Sequence, residues 1–387
     1  MTVFSHYPQE RVYFGEPLVD ALATEVERLN ARSVFVMASA SLTASTDYEA
    51  KVRAALGGRL VGWVTGMPAH TPRQAVLDMA RAAQSAQADL IVTFGGGSLT
   101  DAGKMVRLAL QHNFAQLSDF DALRTVVNAD GARLQPQVQA PSIAQISIPT
   151  TLSGGEFNVS AGCTDTQKQV KHAYRHERLI PVAVILDPAA TVRTPPWLWL
   201  STGMRAVDHA VETLCSLHGN HQADGAALNG LKLLAAALPL CQADSSNLSA
   251  RLDCQIGAWQ SMEHHQSGVP MGASHGIGHV LGGTCGVPHG HTSCVMLPAV
   301  LRWNASVNGA QQATISQAMG QAGAHGGDVV ESFVRNLGQP TRLSEVGVGP
   351  ECFDEIAHNA MHDHYIHTNP RPIESVEQVK EILTLAQ

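Results

Sequence analysis

The 387-residue sequence has few cysteines, no long hydrophobic run and no excess of positive charge. Because no stretch approaches 18 consecutive apolar residues, we expect no membrane-spanning segment. A formal net charge of −8 at pH 7 provides no basic surface that would attract nucleic acid. The seven cysteines form no CxxC pair, which disfavours a disulfide framework. Residues 1–16 also lack the basic start and apolar stretch of a secretory signal, so we expect free thiols in a reducing cytoplasm.

The composition is that of a folded protein with an unusual amount of histidine. Apolar residues make up 44% and charged residues 15%, which excludes a disordered chain. The length is enough for two domains. Of the 19 histidines, six lie between His264 and His291, so this part of the chain is a candidate for histidine chemistry.

The first half of the sequence alternates strand-like and helix-like runs. This rhythm predicts a parallel sheet with helices on both faces. The predicted strands are 33–39, 59–64, 88–98, 144–151 and 181–188, and the predicted helices among them are 17–30 and 72–87.

Beyond residue 195 the pattern changes to long amphipathic helices. We therefore place a boundary near residue 190, with an α/β domain at 1–190 and an all-helical domain at 191–387. Residues 111–142 are polar and irregular, and we expect a surface excursion between two strands there.

Two glycine-bearing loops follow predicted strands. In GGGSLTDAGK (95–104) the glycines allow a ligand close to the backbone, and the helix that follows offers its N-terminus to a pyrophosphate. This segment is neither a Walker loop nor a GxGxxG fingerprint, and an ordinary tight turn is the alternative. The second loop, PTTLSGGE (149–156), favours a dinucleotide because two such loops can frame one cofactor. The candidate cofactor-binding residues are Gly95, Gly96, Gly97, Ser98, Asp101, Lys104, Thr150 and Thr151.

The end of the first predicted strand bears on the choice of cofactor. In dinucleotide sites an acidic residue there binds the adenosine ribose and repels a 2′-phosphate. The sequence has MASAS (37–41) at this place, with Ser39 as the candidate residue. We therefore expect both NADH and NADPH to work, with discrimination of less than about a hundredfold.

Several histidines stand at spacings that suit a shared site. His275 and His279 are four residues apart on a predicted helix, and His289 and His291 follow a glycine-rich turn. Together with His209 from another helix they can converge on one cavity, where neutral imidazoles bind Fe²⁺ or Zn²⁺. The alternative is that each is an ordinary helix histidine.

The order of several sequence segments resembles that in a known enzyme superfamily. GGGSLTDAGK, PTTLSGGE, GMRAVDHAVE, SHGIGHVLGG, PHGHTSCVMLPAVLRWN and NPRP follow one another as in the iron-containing alcohol dehydrogenase superfamily, which the chain resembles over nearly its whole length. That superfamily is related in fold to dehydroquinate synthase. HTP at 70–72 and the lack of an acidic ligand in 203–212 are more similar to its maleylacetate reductase branch. The resemblance implies an N-terminal dinucleotide-binding domain, a helical C-terminal domain, and hydride transfer from NADH or NADPH to a carbonyl in a cleft between them.

The resemblance also implies roles for single residues. Iron-dependent members hold their metal with an aspartate and three histidines, and these histidines correspond to His209, His275 and His289. The aspartate position is Arg205 in this sequence. His279 corresponds to a histidine near the substrate that does not bind the metal.

Arg205 at the aspartate position argues against a metal. Two like charges 4 Å apart repel by about 4 kcal/mol at an effective dielectric of about 20, and a divalent ion doubles that. Asp208 is about 100° around the helix from His209, so we expect it to be a poor substitute ligand. Our hypothesis is that Arg205 stabilises the negative charge of the reduced substrate, while His279 or a neighbouring imidazole such as His209 donates a proton. The alternative is that Arg205 points into a salt bridge with Asp208 or Glu212.

The leading interpretation is therefore an NAD(P)H-dependent reductase of a keto acid that works without a metal. The branch resemblance implies reduction of maleylacetate to 3-oxoadipate, with the basic residues Lys171, Arg175 and Arg178 near the substrate. The excursion at 111–142 and the histidine-rich stretch 358–367 depart from that branch. The alternatives are an Fe²⁺- or Zn²⁺-dependent alcohol dehydrogenase and a non-catalytic dinucleotide- or metal-binding protein. The resemblance also implies a homodimer or larger homo-oligomer.

Overall fold

Apolar runs in the first half of the sequence form a sheet of six parallel strands. The computed structural model describes residues 4–127, 133–168 and 170–387, and the sheet belongs to a unit made of described residues between 6 and 194. In the order in which they lie side by side, the strands are β1 (Arg11–Phe14), β10 (Ala183–Leu186), β7 (Ala144–Pro149), β4 (Leu90–Gly95), β2 (Val34–Ala38) and β3 (Leu60–Val64).

The five predicted strands are confirmed as β2, β3, β4, β7 and β10. Every residue of β2, β4 and β10 is buried, which explains their continuous apolar sequences. β1 was not predicted. It is a four-residue edge strand whose ends are exposed, with Phe14 53% accessible, so its sequence carries little of the signal of a buried strand.

Helices cover both faces of the sheet, as the alternating pattern predicts. Val34 and Val36 of β2 join a core cluster with residues of the first and third helices, whereas Phe35 and Met37 join a cluster with the fourth and fifth. Successive strand residues thus supply the two faces. The helices of this unit are α1 (Leu18–Arg28), α2 (Ala40–Ser45), α3 (Tyr48–Leu56), α4 (Arg73–Ser85), α5 (Gly97–Gln111) and α6 (Pro188–Thr191).

Two antiparallel strand pairs were not predicted. β8 (Ser160–Asp165) and β9 (Val170–Arg175) pair after the second glycine loop. β5 (Val126–Val127) and β6 (Arg133–Leu134) pair within the predicted excursion at 111–142, of which residues 128–132 lie outside the described residues. These strands are polar or very short, so the sequence gives them no clear period-2 signal.

Residues 195–387, together with residues 4 and 5, form the second unit, and all of the regular structure described in it is helical. Every residue from Trp199 to Thr213 of its first helix is buried. The unit's helices are α7 (Pro196–Cys215), α8 (His221–Ala243), α9 (Leu248–Ser261), α10 (His264–Ser267), α11 (Ala273–Cys285), α12 (His289–Ala318), α13 (Gly326–Asn336), α14 (Phe353–Ala360) and α15 (Val376–Leu385). The α/β unit followed by a helical unit confirms the predicted fold class.

One helix in the described part of the chain, α8, is long and apolar enough by length and composition to cross a membrane. Core helices of globular proteins meet the same criterion, so this single helix is weak evidence for a membrane span. α8 packs against α7 and α9 within its own unit.

Candidate active site

In the N-terminal unit the predicted cofactor residues gather at one edge of the sheet. β2, β4 and β7 are neighbours, so the loops after their carboxyl ends lie side by side. The backbone N–H of Ser39, after β2, donates to the Phe94 carbonyl at 2.9 Å. The backbone N–H of Thr150, after β7, donates to the Gly95 carbonyl at the same distance. Carboxyl ends of parallel strands are where open α/β sheets bind their ligands.

The glycines of the first loop are needed for a close approach of the two loops. A Cβ added to Gly97 would stand 2.8 Å from Ser153 Oγ, and one added to Gly96 would stand 3.2 Å from Thr151 Cγ2. α5 begins directly after Gly96, so its free backbone N–H groups face this cradle. A narrow backbone cradle at a helix N-terminus fits the pyrophosphate of a dinucleotide.

Two further candidates of this loop already bind protein groups. Ser98 Oγ accepts the backbone N–H of His70 at 3.2 Å. Asp101 Oδ2 accepts the backbone N–H of Gly162, which lies within β8, at 3.1 Å. Both side chains therefore tie the glycine turn to adjacent loops.

Lys104, another candidate cofactor-binding residue, has its ammonium bound by the protein itself. Its buried ammonium donates to the carbonyls of Gly155, Asn158 and Ser160 at 2.6, 2.9 and 2.8 Å. Burial lowers its pKa to about 8. Every proton of the ammonium has a backbone acceptor, so Lys104 holds the second glycine loop in place and has no proton left for a phosphate.

In the helical unit, α7 places four ionisable side chains on one face. Arg205, Asp208, His209 and Glu212 stand at positions i, i+3, i+4 and i+7, and all four are buried. Arg205 is 4% exposed, and its Nη1 lies 3.2 Å from Ser293 Oγ and 3.9 Å from Asp208 Oδ2. The guanidinium is therefore inside the histidine cluster and paired with a carboxylate at the same time.

Asp208, which the helical geometry predicts to be a poor substitute metal ligand, lies beside Arg205. Three residues along a helix is a rotation of about 60°, so Asp208 shares the face of Arg205 although it is about 100° from His209. Its Oδ2 accepts the hydroxyl groups of Ser274 at 2.9 Å and Ser293 at 2.6 Å. The two serines had no signal in the sequence that would mark them, because they come from α11 and α12.

Glu212 fixes the start of α11. Its carboxylate accepts the backbone N–H groups of Gly272 and Ser274, each at 2.9 Å. One of its oxygens also lies 2.7 Å from Nδ1 of His275. Glu212 therefore determines which nitrogen of His275 is directed away from the carboxylates.

Burial dominates the ionisation of this cluster. It raises the pKa of the Asp208 and Glu212 carboxyls and lowers the pKa of His209 and His275 well below the ordinary value. Burial also lowers the pKa of Arg205, but a guanidinium keeps its proton in proteins. The cluster thus has one permanent cation beside neutral imidazoles.

The structure brings most of the predicted histidines near one another. The ring centroids of His209 and His275 are 4.8 Å apart, and the rings of His279 and His289 are parallel at 6.1 Å. His275 and His279 are separated by 6.5 Å. His264, which the sequence analysis did not single out, stacks on His209 at 5.7 Å.

Three buried ring nitrogens of the cluster have no hydrogen-bond partner among the described residues. They are Nδ1 of His209, Nε2 of His264 and Nε2 of His275. An unpaired buried nitrogen is costly, so these nitrogens are suited to polar groups of a ligand.

The residues do not fit a divalent ion as they stand. A metal site needs at least three ligand atoms close to one another. In the described part of the chain, the nitrogens of the three predicted histidine ligands do not all lie within 4.8 Å of one another. Asp208, Glu212 and His275 do form such a group. Their atoms are already engaged with serine hydroxyls, backbone N–H groups and each other, and the guanidinium of Arg205 adds repulsion toward a cation.

A second group of this kind, in the N-terminal unit, has a cation built into it. Ligand atoms of Asp121, Asp165 and His172 lie within 4.8 Å of one another. Arg73 binds all three, at 2.8, 3.2 and 2.9 Å respectively. This cluster is therefore an internal ion-pair network.

The basic residues assigned to the substrate lie on β9 and just after it, in the N-terminal unit. Lys171 Nζ is 4.0 Å from Asp101 Oδ2, and the Lys171 side chain is 49% exposed. Arg175 donates to the Tyr7 hydroxyl at 3.2 Å, and the backbone N–H of Arg178 donates to His176 Nδ1 at 3.0 Å. Lys171 is thus the one of the three beside a predicted cofactor residue.

Comparison with known proteins places both units in one family. Residues 8–188 match the iron-containing alcohol dehydrogenase model, and residues 199–387 match the C-terminal model of the Fe-containing alcohol dehydrogenase family. Dehydrogenase FUM7 of Gibberella moniliformis is 35% identical, covering 97% of this chain and 95% of its own. Maleylacetate reductase 1 of Cupriavidus pinatubonensis is 28% identical over 95% and 93%. The crystal structure of maleylacetate reductase from Agrobacterium tumefaciens superposes with a TM-score of 0.83 at 27% identity, covering 100% and 98%.

Proposed function

Because the chain belongs to the iron-containing alcohol dehydrogenase family and is an NAD(P)-dependent oxidoreductase, we propose that it reduces a keto acid without a bound metal. The observation that carries this proposal is the buried guanidinium of Arg205 inside the histidine cluster. A permanent cation at that place repels a metal ion and can itself stabilise negative charge.

We assign a role in the proposed reaction to each side chain of the cluster. A bound nicotinamide supplies the hydride. Arg205 lowers the energy of the negative charge that develops on the substrate oxygen, since it is a charge source already oriented and shielded from water. Neutral His209 and His275 present unpaired nitrogens to polar groups of the substrate. His279, whose side chain is 38% exposed, supplies the proton.

For the substrate we propose maleylacetate, which would give 3-oxoadipate. Its keto group is conjugated with a C=C bond, so hydride addition to that bond also places negative charge on the keto oxygen, where a cation helps. Several relatives near 28–30% identity are named maleylacetate reductase, which supports this substrate. We expect the enzyme to act in the cytoplasm as a homodimer or larger homo-oligomer, without nucleic acid or membrane partners.

The test is cofactor oxidation by protein dialysed against EDTA. We expect NADH and NADPH to be oxidised in the presence of maleylacetate, with less than about a tenth of an equivalent of iron or zinc per subunit by plasma emission. Replacing Arg205 by alanine should lower turnover about tenfold or more, because one preorganised charge is lost. Arg302→Ala, which removes a guanidinium paired with Asp328 and Glu331 elsewhere in the helical unit, is the matched control and should leave turnover unchanged.

Each of these measurements tests one part of the proposal. About one equivalent of metal in active enzyme would overturn the metal-free mechanism. Equal rates for wild type and Arg205→Ala would remove the arginine from it. Oxidation of NADH with simple aldehydes but not with maleylacetate would replace the substrate and keep the reaction class.

A further inference from the structure

His279 has a carboxylate partner that the sequence analysis did not identify. Its Nδ1 lies 2.9 Å from Oδ2 of Asp363. Asp363 follows α14, within the histidine-rich stretch at 358–367, and its side chain is only 16% exposed. The contact joins two residues that are 84 positions apart in the chain.

The backbone around Asp363 holds the carboxylate in one orientation. The second oxygen, Oδ1, accepts the backbone N–H of Tyr365 at 2.9 Å. The N–H of Asp363 itself donates to the Ala360 carbonyl at 2.8 Å. Burial alone would raise the pKa of Asp363, but His279 and the other neighbouring donors lower it below the ordinary value. Oδ2 of the ionised group therefore faces His279, whereas Oδ1 faces the N–H of Tyr365 and lies 3.5 Å from Nδ1 of His364.

An ionised carboxylate only accepts hydrogen bonds, so the nitrogen that faces it must carry a hydrogen. That nitrogen is Nδ1 of His279. The ring is also flanked by Tyr365, with centroids 5.7 Å apart, and by the parallel ring of His289. In the described part of the chain Nε2 has no hydrogen-bond partner, so it is the nitrogen available to a ligand.

We propose that Asp363 is a positioning residue that holds neutral His279 in the Nδ1–H form and leaves Nε2 to exchange a proton with the substrate. The proton exchange at Nε2 rests on the proposed function, whereas the tautomer does not. On reduction, Nε2–H of the imidazolium gives its proton to the substrate, and the ring returns to the neutral Nδ1–H form. The arrangement has the logic of the aspartate in a Ser-His-Asp triad, which fixes the tautomer of its histidine.

The substitution Asp363→Asn tests this proposal, because the structure determines the orientation of the new side-chain amide. The N–H of Tyr365 needs an acceptor, so the amide oxygen takes the place of Oδ1. The amide NH₂ then faces His279 and donates to Nδ1, which forces the hydrogen onto Nε2. We expect the tautomer to reverse from Nδ1–H to Nε2–H.

The tautomer is read directly by NMR. Long-range ¹H–¹⁵N spectra of the histidine-labelled full chain at a pH of about 9, above the ordinary pKa of imidazole, distinguish the two forms without substrate. His279→Gln identifies the resonance. Asp244→Asn is the matched control, because Asp244 Oδ1 likewise accepts the N–H of the residue two positions on, Ser246, at 2.9 Å. It touches no histidine of the cluster and should leave the His279 signal unchanged.

A second variant keeps the proposal testable if Asp363→Asn does not fold. Asp363→Ser keeps a side-chain acceptor for the Tyr365 N–H but is too short to reach His279, so we expect a mixture of tautomers. An unchanged Nδ1–H signal in both variants would overturn the proposal. So would an Nε2–H form in the wild type.

Kinetics separate this proposal from the proposed function. We expect Asp363→Asn to lower kcat about tenfold or more while KM changes little, because a reversed tautomer blocks proton transfer and leaves binding intact. A reversed tautomer in a protein that reduces no keto acid would reject the function and keep the positioning role. A reversed tautomer with unchanged kcat would reject His279 as the proton donor.

Discussion

The substitution Arg205→Asp tests whether one built-in charge decides the metal dependence of this site. It puts a carboxylate at the position that the family resemblance assigns to a metal-binding aspartate, beside His209 and His275. The guanidinium it removes is 4% exposed and bound to Ser293, so in the wild type it cannot swing into solvent without breaking buried contacts.

The expected effect is large. A divalent ion about 4 Å from a guanidinium is repelled by about 8 kcal/mol at an effective dielectric of about 20. A carboxylate at the same place attracts the ion by a similar amount. If only half of the lost repulsion, about 4 kcal/mol, appears in binding, the affinity for Zn²⁺ rises about a thousandfold.

The assay is calorimetric titration of Zn²⁺ into EDTA-dialysed protein. Arg205→Met is the matched control, since it removes the charge and keeps an apolar stem of similar length. We expect affinity to increase from wild type to Arg205→Met to Arg205→Asp. Without metal, Arg205→Asp should melt at a lower temperature than the wild type, because Asp208 loses its cation and gains a like charge. Zn²⁺ should restore the melting temperature.

Two results would refute this reasoning. If the wild type binds Zn²⁺ as tightly as Arg205→Asp, the guanidinium does not act on the ion. If Arg205→Met equals Arg205→Asp, charge removal is sufficient and the aspartate adds no ligand. The second result would still leave the electrostatic half of the argument in place.

Two other predictions concern the N-terminal unit. Burial raises the pKa of Glu156 from 4.5 to about 7, so the folded state loses about 3 kcal/mol of stability as the pH rises from about 4.5 to about 7. Glu156→Gln should therefore raise the free energy of unfolding at pH 8 and change it little at pH 4, measured by urea denaturation; equal effects at both pH values would contradict it. Ser39→Asp should raise KM for NADPH about tenfold or more and leave KM for NADH nearly unchanged, because a carboxylate repels the 2′-phosphate. Equal shifts for both cofactors would place the adenosine ribose away from Ser39.

The sequence predicted the parts of the fold in which burial leaves a regular pattern. β2, β4 and β10 are buried on both faces, so their apolar runs were unambiguous. β8 alternates buried and half-buried positions with small and polar residues, SAGCTD, which carry a weak strand signal. Its role depends on pairing with β9, a contact that no local pattern encodes.

For the candidate active site, helical spacing predicted which side chains of one helix share a face. It gave no information about contacts between side chains of different helices. The spacing of Arg205 and His209 correctly placed both on one buried face. Comparing Asp208 only with His209 did not reveal that its carboxylate lies 3.9 Å from the guanidinium of Arg205. Ser293 and Asp363 reach the cluster from α12 and from the segment after α14, so only the tertiary structure identifies them.

The serines beside Asp208 show why a built-in cation can work where its counter-ion is so close. A carboxylate 3.9 Å from Arg205 would cancel much of its field if it were otherwise bare. Asp208 Oδ2 instead accepts hydroxyls from Ser274 and Ser293, whose dipoles spread its charge away from the guanidinium. Ser293 also binds Arg205 directly, so one hydroxyl keeps the two charges apart in a fixed geometry. In the proposed mechanism Arg205 supplies the positive charge that stabilises the substrate oxygen.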